Sequence, residues 1–240
     1  MCGEATAGAW PMARGQTQVI AKVERQSADQ LFDAAGALGD LGRREDETAS
    51  IFVEHGLTDR LTLQAKAGLT RGRDPFVRYE GRGPVELGLR YALLKRPRTV
   101  AAIYLGATEA GAGRNAGYAA PGQGEVDIEA RLLLGRSAVT RRGEIFSDLQ
   151  LARLRRSGLA DETRMDATLG FRPARNWLVM AQTYAGEADS KPRKARWLKA
   201  ELSIVRGFGP WSVQAGWRET VAGREIAKDR GMVLGVWRTF

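Results

Sequence analysis

Cysteine and histidine are almost absent from this chain: among its 240 residues there is one of each, Cys2 and His55. A lone cysteine forbids an internal disulfide. One cysteine and one histidine leave no cluster of zinc-binding spacing, so neither a structural metal nor another cofactor is expected. Long apolar runs are absent too. No uncharged stretch approaches the roughly 18 residues that a spanning helix needs, which excludes a helical membrane protein. It does not exclude a membrane, because a transmembrane strand needs only about 10 residues and alternate ones face a polar interior. A mean hydropathy of −0.33, with 43% hydrophobic and 27% charged residues, is compatible with such a barrel.

A complete export signal is missing as well. Nothing before Gly15 supplies a basic segment followed by an apolar stretch of roughly 7 to 15 residues, yet Ala5-Thr6-Ala7 followed by Gly8 reads like the small-residue site that closes one. Residues 1–14 are therefore expected to be a signal-peptide remnant or an unordered N-terminus, and residues 15–240 a single domain. Gly106, Gly111 and Gly113 lack the strand-to-helix setting of a phosphate-cradling loop.

What the chain has is alternation. From residue 16 onward, segments of about ten residues repeat with period two, separated by clusters of Gly, Pro, Asp and Arg. The clearest is Arg60 to Arg71, where Leu61, Leu63, Ala65, Ala67 and Leu69 oppose Thr62, Gln64, Lys66 and Gly68. The pattern returns in Pro84 to Lys95 and around Val126 to Leu134, and more briefly near Val19, Ile51, Leu169, Leu202, Val213 and Leu234. Three segments alternate poorly and are placed as strands on spacing alone: Thr99 to Thr108, Glu144 to Arg155 and Trp177 to Gly186. The total is about twelve strands.

The connections fall into two alternating classes. Short ones are His55 to Asp59, Arg96 to Arg98, Arg136 to Gly143, Arg172 to Asn176 and Gly207 to Pro210; mostly longer, polar ones are Ser27 to Arg44, Gly72 to Gly83, Glu109 to Gly122, Arg156 to Asp161, Glu187 to Lys194 and Ala222 to Arg230. Up-and-down transmembrane barrels show this asymmetry, with tight periplasmic turns and longer outer loops. The fold expected is all-β: an up-and-down antiparallel transmembrane β-barrel with both termini periplasmic, in the outer membrane of a Gram-negative bacterium. A soluble sandwich also alternates. The charged mid-strand faces, strand lengths that cross a bilayer when tilted, and aromatics gathered near the short turns favour the membrane barrel. Phe171, Trp177, Phe208, Trp211, Trp237 and Phe240 would make that aromatic belt.

Gly231 to Phe240 alternates to the last residue, and this resembles the C-terminal strand that outer-membrane barrels present to their assembly machinery. Arg238 departs from the apolar residue usual two before the end. The stretch Glu54-His55-Gly56-Leu57-Thr58-Asp59-Arg60-Leu61-Thr62-Leu63 is similar to the strand-turn-strand wording of proteobacterial outer-membrane proteins described as transporters, including the phenol meta-pathway type. That resemblance covers about ten residues, implies transport, and carries no functional residue with it.

Read literally, the alternation sends seven basic groups into the lumen: Lys22, Lys66, Arg90, Arg131, Arg164, Lys199 and Arg218. It sends eight acidic ones there too: Glu24, Glu54, Glu86, Asp127, Glu129, Asp148, Asp166 and Glu201. The net charge of +9, with 37 Lys and Arg against 28 Asp and Glu, then sits in the loops and strand ends. There Arg71, Arg73, Arg78, Arg82, Arg193, Lys194 and Arg196 would meet lipopolysaccharide phosphates, for which guanidinium forks are well shaped. Nucleic acid would want interleaved aromatic platforms, which these clusters lack. The function expected is a passive channel or uptake protein for small solutes; a closed structural or lipopolysaccharide-associated barrel is the alternative, and a lipid hydrolase the last. A hydrolase would need His55 beside a serine, and the nearest in the chain, Ser50, is five residues away, roughly 16 Å at strand rise.

Overall fold

The computed structural model describes residues 8–113, 125–190 and 193–240, and every regular element in it is a strand. In chain order these are β1 (Thr17–Phe32), β2 (Leu38–Gly56), β3 (Leu61–Arg73), β4 (Arg78–Arg82), β5 (Val85–Arg96), β6 (Thr99–Glu109) and β7 (Val126–Thr140). There follow β8 (Gly143–Arg156), β9 (Glu162–Ala174), β10 (Trp177–Ser190), β11 (Arg193–Phe208), β12 (Trp211–Arg224), β13 (Ile226–Ala227) and β14 (Arg230–Thr239). Each long strand pairs antiparallel with its neighbours, and β1 pairs with both β2 and β14, which closes the sheet. Closure leaves no long edge with unpaired N–H and C=O groups. Twelve strands form the wall; short β4 extends the pairing of β3, and β13 pairs with the far end of β1.

Inside and outside follow from alternation. Leu69, Leu87, Leu105, Leu132, Leu169 and Leu202 are exposed, while the residues beside them in each strand face a common interior. Contacts that skip a strand prove the concave side: Arg218 of β12 reaches Glu24 of β1 across β14, and Lys199 of β11 reaches Asp229 across β12. A ladder perpendicular to the strands shows their tilt. It starts at Trp211 and Arg238, runs through Val19, Val53, Ala65, Leu87, Ala107 and Ile128, and ends at Arg155. One such row climbs from an aromatic rim, across an apolar band, to a basic rim, as tilted strands in a barrel require.

The two classes of connection are present, with tighter turns than the sequence suggested. At one end the strands turn through pairs such as Arg141-Arg142 and Gly209-Pro210; at the other they run on past the apolar band. Ser27 to Arg44, Glu187 to Lys194 and Arg136 to Gly143, expected as connections, are mostly paired strand. The reason is physical: backbone pairing continues past the apolar band, where polar and apolar residues no longer alternate, as at Leu31-Phe32 and Ala138-Val139. The loop expected over Glu109 to Gly122 lies in part outside the described residues.

The three poorly alternating segments are β6, β8 and β10, and their inward faces explain them. Toward the tight turns Val100, Ala102, Leu133, Phe146, Leu178, Met180 and Val205 point inward and pack in two buried clusters. Both faces of these strands are apolar there, so alternation fades. The N-terminal segment fills the space between them. Residues 8–14, expected as a leader remnant or an unordered tail, run inside the barrel, with Ala9 and Met12 buried; residues 1–7 lie outside the described residues.

Candidate functional site: the lumen and its N-terminal strap

The strap is held by wall side chains that meet its backbone. The Arg90 guanidinium donates to the carbonyls of Gly8 and Trp10, the latter at 2.7 Å. Asp148 Oδ2 accepts from Ala9 N–H at 2.7 Å, Thr62 Oγ1 from Met12 N–H at 2.9 Å, and Asp59 Oδ1 from Arg14 N–H at 3.2 Å. Trp10 bridges the two apolar clusters and meets the Phe146 ring edge to face, with centroids 6.2 Å apart. Gly135 makes room for it: a Cβ there would lie 2.5 Å from the indole. The strap occupies the β2–β8 side of this mouth. On the other side a cavity of about 520 Å³ remains, lined by Gln18, Arg172, Leu178, Val205, Ser212 and Trp237 among others.

Beyond the strap the interior is polar. All fifteen lumen residues anticipated from the sequence lie on the faces opposite the exposed leucines. Lys22 pairs with Glu24 at 2.7 Å, and Arg218 joins Glu24 at 3.2 Å to Glu201 at 2.6 Å. Glu201 also accepts from Ser203 and Gln214, so its buried oxygens are satisfied. Glu54 accepts from Arg90 at 2.8 Å and Gln64 at 2.6 Å; Tyr104 donates to Glu86 at 2.6 Å. Glu129 pairs with Arg131, which also donates to Gln150, and Lys199 lies 3.5 Å from Asp229. Asp127 pairs with Arg156 at 2.8 Å, and Glu162 sits between Arg156 and Arg164. Lys66 and Asp166 make no salt bridge among the described residues, and Lys66 is exposed to the lumen. The interior cations Lys22, Arg131, Arg164 and Lys199 expose 23–35% of their side chains. Glu54, Glu129, Glu162 and Glu201 expose no more than 8%. Arg90, Arg156 and Arg218 are more deeply buried, at 1%, 7% and 14%.

Sequence reasoning missed several members of this network. Arg156 opens the expected connection Arg156 to Asp161 and Glu162 follows it, yet both continue the inward parity of Asp148, Gln150 and Ala152 in β8 and of Arg164 in β9. Arg44, the last residue of an expected connection, pairs with Asp46 at 2.5 Å, and Asp229 sits between strands, where no periodicity marks it. Trp10 carried no signal at all.

The aromatic rim changes in one member. Trp177, Phe208, Trp211 and Phe240 are exposed at the tight-turn end, but Trp237 points inward, packs on the apolar cluster and donates to Gln214 Oε1 at 3.2 Å. With Met232, Leu234 and Val236 outward, residue 237 can only face in. Arg238 is outward, its guanidinium stacked on Trp211 at 4.6 Å and Phe240 at 4.2 Å. Aromatic faces thus accommodate the cation that departs from the usual terminal pattern.

The basic groups of the loop-side rim are largely paired. Arg71 meets Glu47 at 2.9 Å, Arg73 meets Glu45 at 2.8 Å, Arg82 meets Glu109 at 2.7 Å, and Lys194 and Arg196 share Glu187. Arg78 is exposed with no salt bridge among the described residues; the Arg193 side chain lies outside them. His55 Nδ1 lies 2.8 Å from Thr17 Oγ1, while Ser50 stands opposite Lys22 on the other face of β2, so the two are not brought together.

No family model matches the sequence, and no curated protein resembles it significantly. Solved structures do resemble its fold. The COG4313 outer membrane channel from Pseudomonas putida F1 superposes with a TM-score of 0.77 at 11% identity, over 99% of this chain and 100% of that one. The KdgM porin gives 0.57 at 7% identity over 92% and 99%. The translocator domain of the autotransporter NalP from Neisseria meningitidis gives 0.55 at 13% identity over 95% and 90%. The fold is that of outer-membrane β-barrels.

Proposed function

We propose that the chain is a passive channel of a Gram-negative outer membrane, admitting small solutes, with its tight turns and both termini toward the periplasm. The observation that carries this reading is the inversion of polarity across the wall: leucines outside, and inside a charged network in which Lys66 is exposed and Lys22, Arg164 and Lys199 are half-buried. A polar interior in a barrel of twelve strands suits a narrow aqueous path better than a packed core. Similarity along its whole length to an outer-membrane channel supports it. So does the resemblance of Glu54 to Leu63 to outer-membrane transporters of the phenol meta-pathway type.

A closed lumen is the second reading, and the strap favours it, since Trp10 and the clusters around it fill one side of the periplasmic mouth. Planar-bilayer recording separates the two. Discrete conductance steps from the refolded full chain are the outcome expected, and the absence of steps at all voltages and salts would overturn the channel. Larger steps from a chain starting at Gly15 would identify the strap as the constriction. Migration in detergent gels that changes on boiling is expected of the barrel itself.

A further inference from the structure

On the outer wall, the apolar band meets the loop-side rim in a groove of about 680 Å³ between β12, β14, β1, β2 and β3. Two cross-strand rows build it. The lower passes from Leu202, Trp217 and Met232 into Arg25, Glu47 and Arg71. The upper passes from Arg230 through Ser27 and Glu45 to Arg73 and Arg78. Within one row the wall changes from grease to charge, so the groove sits where acyl chains end and headgroups begin.

Its charge is unbalanced. Glu47 lies between Arg25 and Arg71, and Glu45 between Arg43 and Arg73. Each carboxylate is thus shared by two guanidinium groups, and all four arginines line the groove. Arg78 and Arg230 also line it and make no salt bridge among the described residues, although Glu219 stands opposite Arg230 in register. Six arginines face three outward carboxylates, Glu45, Glu47 and Glu80, over a floor of Trp217 and Met232. Planar forks beside an apolar floor suit a phosphorylated headgroup whose acyl chains continue down the wall.

We propose that this groove binds the phosphorylated diglucosamine headgroup of lipopolysaccharide, with Arg78 and Arg230 as its unpaired phosphate donors. The inference rests on the orientation given above, in which the loop end faces the outer leaflet. It goes beyond the general basic rim by naming one place, and it adds Arg25, Arg43 and Arg230 to it.

The test uses the refolded full chain in neutral detergent, read by the temperature at which the folded gel band is lost; a ligand that binds only the folded barrel raises it. Bisphosphorylated lipid A is expected to raise it, and lipid A stripped of both phosphates to leave it unchanged. The double variant Arg78→Gln/Arg230→Gln breaks no ion pair among the described residues and is expected to need about ten-fold more lipid A for the same rise. The control Arg141→Gln/Arg142→Gln changes the charge equally at the tight-turn end and is expected to respond as the parent does. An equal rise with dephosphorylated lipid A, or with phosphatidylglycerol, would overturn the proposal, as would an unaltered response of the groove variant. Conductance of the same preparation keeps the two readings apart. Steps without the phosphate-dependent rise would sink the groove alone; the rise without steps would sink the channel alone.

Discussion

Toward the tight turns the lumen is lined by Val100, Ala102, Leu133, Phe146, Leu178 and Met180 around Trp10; toward the loops the same strands turn inward Arg131, Asp148, Arg164 and Tyr184. The backbone does not change between these regions, and neither does the inward parity. Only the side chains differ. The first region is a small hydrophobic core held by removing apolar surface from water, which gains roughly 25 cal/mol per Å². The second is a set of ion pairs, in which a half-exposed pair such as Lys22–Glu24 adds little to stability while a buried one such as Arg156–Glu162 is costly to break. One barrel thus separates two regions along its axis, an apolar one that anchors the strap and a charged lining beyond it.

The comparison can be broken most directly at Arg90, which belongs to both regions. Its side chain is 1% exposed, it pairs with buried Glu54, and it holds two strap carbonyls. Arg90→Ala leaves Glu54 buried without its cation, and a loss of about 3–5 kcal/mol is expected. The melting temperature of the folded gel band measures it; a variant melting with the parent would show that the strap is not anchored by this group. Trp10→Ala should come next, costing about 2–3 kcal/mol of apolar burial. Its conductance steps should also be larger, since the indole fills one side of the mouth. If stability falls while the steps keep their size, Trp10 anchors the strap without narrowing the path.

Lys66→Met sharpens the other side of the comparison. Lys66 is exposed in the lumen and makes no salt bridge among the described residues, so its stability effect should stay within about 0.5 kcal/mol. Conductance and ion preference should nevertheless change, and a variant identical to the parent in both would place Lys66 off the path. The smallest effect expected is from acid at the rim. Hydrogen bonds from Arg73 and Arg43 hold the Glu45 carboxyl below its ordinary value; for Glu47, slight burial opposes the bonds from Arg71 and Arg25, which prevail. A lowered folded pKa means stability that is present above the ordinary carboxylate range, near about 4.3, and is lost as pH falls through the folded value. Melting between pH 5 and 3 should therefore fall slightly more for the parent than for Glu47→Gln. Equal slopes would mean the ladder contributes nothing.

Much of the barrel was legible because a lipid-facing wall imposes contrast: β3 has to be apolar on one face and polar on the other, and Leu61 to Leu69 record it. Where the interior turns apolar, in β6, β8 and β10, that contrast fades, and past the apolar band, as from Ser27 to Arg44, apolar and polar residues no longer alternate. The inward charged residues were legible from parity, since each needs only its own strand. The strap was not. Its partners Thr62, Arg90, Gly135 and Asp148 come from four strands, and no local pattern in Gly8 to Gln16 refers to any of them.

That dispersion has a consequence for how the molecule assembles. The earliest described residues of the chain contact some of its most distant ones: Ala9 bonds to Asp148, 139 positions on. Contacts of such separation carry a large entropic cost of chain closure and form late. The strap therefore has no seat until β3, β5, β7 and β8 are in place, and its docking follows the assembly of that part of the wall rather than opening it.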